Sequence, residues 1–206
     1  MSTGHVSFLP QDEGYTSPKS EIKLPIDESS CFMIRVMSGH AQKPFGVSVL
    51  VFIKDDQDRF LMLKRTRAPN FNCWTPLGGK VEIDEGESPH DCAVREVFEE
   101  AGMTIGTNDL HLFGMISEKN YEGEKHWLMF LFECKKTIDF HPEVMEEGHF
   151  DFFSRAEIDD LPDEELPGTD RQGLWASYDK YHTRFVALKA DCDPKKKLEI
   201  IVEESF

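Results

Sequence analysis

The chain has 206 residues, 39% of them hydrophobic, with sixteen Phe and a formal net charge of −16 at pH 7. That length and composition suit one core-bearing domain with decorations. The acidity argues against a nucleic-acid polymer or an anionic membrane as the main partner, so an anionic small substrate would need a metal or a local basic pocket.

Residues 1–30 are rich in Ser, Pro, Asp and Glu without periodicity and read as an extension. Their start, MSTGHVSFLPQDEG, lacks the basic and apolar stretches of a signal peptide. CFMIRVMS (31–38) predicts a strand within an extension spanning 1–43, ahead of a domain at 44–206. GVSVLVFIKDD (46–56) and DRFLMLKRT (58–66) predict a hairpin across Asp55-Asp56-Gln57-Asp58. The apolar run VSVLVFI (47–53) is far too short to span a bilayer. A short strand is expected near Trp74.

The clearest helix spans 88–102, with Ser88 as N-cap, Pro89 at the first position, Asp91 at the third and Gly102 as the stop. Strands near 110–118 and 125–134 flank the turn Tyr121-Glu122-Gly123-Glu124. A short helix is predicted from Ser154 to Leu161, a longer one from about Asp170 to Ala190, and a late strand at LEIIVE (198–203). Strands interrupted by helices imply an α/β or α+β fold with a mixed sheet covered on both faces. Cys31, Cys73, Cys92, Cys134 and Cys192 are scattered without a C-x-x-C pair, as expected of reduced thiols in the cytoplasm.

On the 88–102 helix, Ala93, Val94, Val97, Phe98 and Ala101 share an apolar face, and Glu96, Glu99 and Glu100 gather opposite at i, i+3, i+4 spacing. Such an acidic stripe reads either as a solvated face or as a set of oxygen ligands for a hard cation such as Mg²⁺. The Gly78-Gly79 pair before the helix permits close backbone approach, and Glu87 stands just ahead of the cap.

Those residues carry a resemblance. Residues 79–103 resemble the Nudix box, G-x5-E-x7-R-E-U-x-E-E-x-G-U, with Gly79 and Glu87 at its first two positions. Arg95-Glu96-Val97-Phe98-Glu99-Glu100-Ala101-Gly102-Met103 matches the remainder without a gap. One departure stands out: seven residues separate Gly79 from Glu87 where the family pattern has five. The resemblance extends over roughly 44–190, including WTPLGG (74–79) and FDFFSRAEIDDLP (150–162).

The resemblance implies an α/β/α sandwich around a mixed sheet. It implies hydrolysis of a diphosphate linkage in a nucleoside-diphosphate-linked substrate, with Mg²⁺ or Mn²⁺ as cofactor. By position, Glu96, Glu99 and Glu100 would be metal ligands, with one of them orienting or deprotonating the attacking water. The Gly79 carbonyl would be a further ligand, and Lys80 a phosphate contact. Arg95 would brace loop to helix through a carboxylate such as Glu87. A general base from outside the box is expected at Glu147 or Glu146, with Glu118 and Glu122 as further candidates.

The stretch LPGTDRQGLW (166–175) is similar to that of purine triphosphate hydrolases of the MutT type. There an Asp or Asn at a helix start reads a purine edge. Asp170 occupies that place, with a helix cap as the bland alternative. Trp175, Phe45 and Phe71 offer stacking surface, although Trp175 equally suits a core. The implied partner is a small nucleotide, with a nucleoside triphosphate, including an oxidised purine, as the leading substrate. ADP-ribose or sugar-nucleotide hydrolysis, or nucleotide binding without catalysis, remains the alternative. For residues 1–43, completing an edge strand, covering the pocket or building a homodimer all stay open.

Overall fold

The computed structural model describes residues 43–206, so the strand expected at 31–38 lies outside the described residues. In chain order the elements are β1 (Phe45–Lys54), β2 (Phe60–Arg65), β3 (Trp74–Thr75), α1 (Pro89–Ala101), β4 (Leu110–Tyr121) and β5 (Lys125–Thr137). They continue with β6 (Gly148–Phe153), α2 (Arg155–Asp160), α3 (Trp175–Tyr181), β7 (Val186–Asp191) and β8 (Glu199–Ser205).

The strands form one mixed sheet in the order β3-β2-β1-β5-β4-β7-β8, with β6 paired to β2. β1 with β5 and β4 with β7 run parallel, while the other pairs are antiparallel. The β1–β2 hairpin forms because the Asp55 carboxylate accepts the Gln57 and Arg59 amides at 3.0 and 2.8 Å, closing an Asx turn. Beyond β3 the chain returns along β1, with Val51 N–H donating to Leu77 O at 2.8 Å and Val49 N–H to Gly79 O at 2.9 Å.

Alternation along the strands sorts the core onto two faces. Val49, Val51, Ile53, Leu61 and Leu63 face Ala93, Val97 and Ala101 of α1. Phe52, Phe60 and Met62 face Trp175 and Tyr178 of α3. Helices on both faces of a mixed sheet make this the α/β/α sandwich expected.

Two expectations fail. The helix expected from Asp170 to Ala190 ends at Tyr181, and Val186–Asp191 is the strand β7. In VALKAD, Lys189 faces solvent between buried Leu188 and Ala190, and the run pairs with β4 on one side and β8 on the other. A slot between two strands overrides its helix propensity. Phe98 also leaves the apolar face of α1, being 60% exposed, because it lies about 140° around the helix from Ala93. Glu100 is buried instead. β6 was not anticipated as a strand.

Candidate active site

The entry to α1 is built locally. Ser88 Oγ accepts the Asp91 amide at 3.2 Å and donates to Asp91 Oδ2 at 2.7 Å. Gly102 ends the helix in the left-handed region at φ 69°, its amide on Phe98 O. The lengthened loop is absorbed by a single 3₁₀ turn at Ile83–Glu85. Below that turn the Glu82 amide donates to Glu87 Oε2 at 2.8 Å, and the Glu87 amide to Glu82 O at 3.2 Å. The surplus residues are thus set outward, and Glu87 still meets Arg95.

Arg95 is the hub. It donates through Nε and Nη2 to both Glu87 oxygens, through Nη1 to Glu96 Oε1 at 2.7 Å and Glu99 Oε2 at 3.0 Å, and through Nη2 to Lys80 O at 3.0 Å. The Arg95 hydrogen bonds bring Glu87 down to about 2, with the Glu82 amide assisting.

Glu100 behaves oppositely. Its Oε2 accepts the Gly78 amide at 2.9 Å, yet burial, then the charges of Glu96 and Glu147, push it up to about 8. Glu96 is raised by burial and then by Glu99 and Glu147. Glu147, just before β6, thus acts on both α1 carboxyl groups from outside the helix. The backbone makes room for this crowding. A Cβ on Gly79 would lie 2.2 Å from the Glu96 carboxyl, and Gly78, at φ 147°, would put one 2.1 Å from Val49 O.

These groups open onto a cavity of about 470 Å³ whose walls include Lys80, Arg95, Glu96, Glu147 and Asp170. A loop at 66–73 forms one wall. It is tied down where Tyr121 Oη donates to Asn70 Oδ1 and the Asn70 amide donates to Glu122 Oε1 at 3.1 Å. At the end away from α1 stand two buried acids, Glu118 of β4 and Asp170. Asp170 opens a π-helical turn, Asp170–Leu174, in which the Trp175 amide reaches back to Asp170 O. The N-cap position of this turn is Thr169, and the Asp170 carboxyl accepts from the Thr169 hydroxyl at 3.3 Å, so Asp170 is not the cap.

The structure therefore brings Arg95, Glu96, Glu100, Glu147, Lys80 and Asp170 to one site, with Glu99 joined through Arg95 and 55% exposed. One expected residue sits elsewhere. Trp175 is 1% exposed, wedged edge-on against Phe52 and Phe60 at 5.2 and 4.9 Å, and has no face free for stacking. The Gly79 carbonyl accepts Val49 N–H at 2.9 Å, which leaves its second lone pair, and Gly79 itself lines the cavity. Gly78 borders the carboxyl groups through its amide on Glu100, and Gly79 through its close approach to Glu96. Of the other base candidates, Glu146 is drawn off into an ion pair with Arg67.

Sequence reasoning missed Arg65 and Trp127, which line the same cavity. Arg65 lies near enough to Glu100 for its charge to oppose that group's rise. Its signal was strand phase, since it follows Leu61 and Leu63 on the face toward α1.

Among the described residues, no three His, Cys, Asp or Glu side chains already converge tightly enough to hold a metal ion. The donor chemistry nonetheless fits a hard cation. Glu96, Glu100 and Glu147 offer oxygen alone, and the mutual repulsion that raises Glu96 and Glu100 is what a divalent ion would relieve. The four cysteines among the described residues are free, and no helix there is long and apolar enough to cross a membrane.

A family model, NUDIX domain, matches residues 44–181. A dihydroneopterin triphosphate diphosphatase of Haemophilus influenzae is 32% identical over 122 residues, covering 52% of this chain and 70% of that protein. An RNA pyrophosphohydrolase of Bartonella bacilliformis is 30% identical over 138 residues, covering 57% and 79% respectively. The crystal structure of a MutT protein from Methanosarcina mazei superposes with a TM-score of 0.58 at 25% identity, covering 68% of this chain and 97% of that one.

Proposed function

Because this chain belongs to the Nudix hydrolase family, we propose that it is a cytoplasmic, Mg²⁺- or Mn²⁺-dependent pyrophosphohydrolase acting on a nucleoside triphosphate. The products would be a nucleoside monophosphate and pyrophosphate. One observation carries the reading: an acid cluster, cationic side chains and a buried polar end share a single cavity of about 470 Å³. That sequence of surfaces suits a ligand with a phosphate tail and a heterocyclic head.

In this reading Glu96, Glu99 and Glu100 hold the cation, with the Gly79 carbonyl as a further ligand. When bound there, a divalent ion neutralises phosphate charge and lowers the pKa of a coordinated water. Glu147, near Glu96 and Glu100 from the turn just before β6, takes the proton of the attacking water. Arg65 and Lys80 grip phosphate oxygens, the guanidinium by paired hydrogen bonds. Arg95 positions the carboxylates and does not touch substrate. Asp170 meets the base, with the Trp127 ring as an apolar wall. We assign the catalytic unit to 44–206 and leave 1–43 as an extension. The Haemophilus relative, named for a triphosphate substrate, supports the choice of substrate class.

A substrate panel tests this. Canonical and oxidised purine triphosphates, ADP-ribose and sugar nucleotides are assayed with Mg²⁺ and with chelator. Metal-dependent release of pyrophosphate from a triphosphate is expected. No metal-dependent turnover of any compound rejects the hydrolase, and turnover confined to ADP-ribose or sugar nucleotides replaces the substrate.

A further inference from the structure

The far end of the cavity is chemically unusual. Glu118 is 2% and Asp170 6% exposed, and neither has an ion-pair partner among the described residues. Glu118 Oε1 has no hydrogen-bond partner at all. The Thr169 hydroxyl, 3.3 Å from Asp170 Oδ1, also lies within reach of Glu118, so one donor serves two carboxyl groups. Both groups belong to the cavity wall. A buried acceptor left unpaired costs stability unless a ligand completes it.

Two carboxyl groups in such a place cannot both be charged. Burial raises each, and the Glu118 charge raises Asp170 further. The neighbours offer no relief. Tyr121 on the same strand, Glu122 in the turn beyond it, Cys73 in the 66–73 loop and Cys192 after β7 are neutral or anionic groups that feel this pair or one another. Burial raises Glu118 to about 7 and Asp170 well above its ordinary value, and only Glu118 keeps an oxygen without a partner, the Thr169 hydroxyl lying on Asp170 Oδ1.

We propose that Glu118 and Asp170 act as a proton-sharing pair that recognises a 2-amino-4-oxopyrimidine ring edge, the edge common to guanine and the pterins. Asp170, carrying the proton, donates to the ring carbonyl oxygen. Glu118, ionised and with Oε1 free, accepts the adjacent ring N–H and the exocyclic amino group. Hypoxanthine lacks the amino donor. Adenine offers one amino group and a bare ring nitrogen, which suits a neutral carboxyl but leaves the Glu118 charge buried against C–H. The inference makes Glu118 a specificity-determining residue and rests on the reading of this cavity as a nucleotide site.

Calorimetric binding to the full chain, with Mg²⁺ present, tests it without requiring turnover. The probes are guanosine, inosine and adenosine monophosphates, with neopterin as a phosphate-free arm. Charged hydrogen bonds of this kind predict guanosine monophosphate binding about tenfold tighter than the inosine compound and about 100-fold tighter than the adenosine one. Glu118→Gln, nearly isosteric and relieved of a buried charge, stays folded by thermal melting and brings the guanosine and adenosine compounds within about threefold of each other. Asp170→Asn, whose amide still donates, keeps the preference. In the wild type the preference shrinks as pH falls through about 7, because a protonated Glu118 no longer accepts both donors.

Binding of guanosine monophosphate or neopterin that weakens in Glu118→Gln until the guanosine and adenosine compounds bind alike supports the pair, and the tighter of the two names the source. Equal affinity for the three monophosphates, with neopterin unbound, overturns it. A preference that survives Glu118→Gln does the same. Metal-dependent cleavage without base preference defeats the pair and leaves the hydrolase standing. Preference without cleavage of any triphosphate does the reverse.

Discussion

Arg95 holds Glu87 by two parallel hydrogen bonds, Nε to Oε1 at 2.8 Å and Nη2 to Oε2 at 3.0 Å, across a loop two residues longer than the family pattern. The grip survives the insertion because the extra length is closed off between Glu82 and Glu87 as one 3₁₀ turn. Fork-to-fork pairing fixes direction as well as distance, so the same guanidinium can also steer Glu96 and Glu99.

That brace has a pH signature. Glu87 sits at about 2 when folded and near 4.5 when free, so it binds fewer protons folded than unfolded between those values. Its contribution is complete above about 4.5 and is lost as pH falls toward 2. After discounting for solvent screening we expect about 1–2 kcal/mol. Denaturant melts from pH 6 to 2 should show Glu87→Gln less stable at pH 6 and converging on the wild type at the acid end. A constant difference across that range would remove the ion pair as its cause.

The two glycines before the box separate fold from chemistry. In Gly78→Ala the new Cβ meets Val49 backbone at 2.1 Å at a positive φ, and strain of about 1–3 kcal/mol should appear as a lowered melting temperature. In Gly79→Ala the obstacle at 2.2 Å is the Glu96 carboxyl, which is free to swing aside. The melting temperature should hold while metal-dependent turnover falls at least about tenfold through the displaced carboxylate. Unchanged turnover in folded Gly79→Ala would take Glu96 out of the site.

Trp175 is a core residue by its contacts, edge-on to Phe52 and Phe60. Trp175→Ala should cost about 3–5 kcal/mol, and Trp175→Phe should retain both fold and preference among bases. A changed base preference in folded Trp175→Phe would return this ring to the pocket.

Local rules made the box readable. The Ser88 cap, Pro89 and the Gly102 stop bound α1, and the 79–103 motif marks the acidic face of that helix. The rest depended on contacts distant in the chain. VALKAD takes the β7 slot only because β4 and β8 flank it, and no short-range pattern reports that. Glu118 keeps the buried phase of Ile116 two residues earlier, a legible hint, but its place in one cavity with Asp170 joins β4 to the turn ahead of α3. The bond from Val49 N–H to the Gly79 carbonyl arises only when the loop lies along β1. Glu147 acts on Glu96 and Glu100 only through β6 pairing with β2.

The central claim is that carboxylates of α1 hold the divalent ion on which cleavage depends. It is tested most directly by initial rates of pyrophosphate release against Mg²⁺ concentration, for wild type, Glu99→Gln and Glu100→Gln. Glu100→Gln keeps an acceptor for the Gly78 amide and loses a buried charge, so it should melt no lower than wild type. The account predicts wild-type activity abolished by chelator and restored by Mg²⁺, with each variant at least about 100-fold slower at saturating metal. Folded variants that match the wild-type rate, or wild-type activity indifferent to chelator, would contradict it.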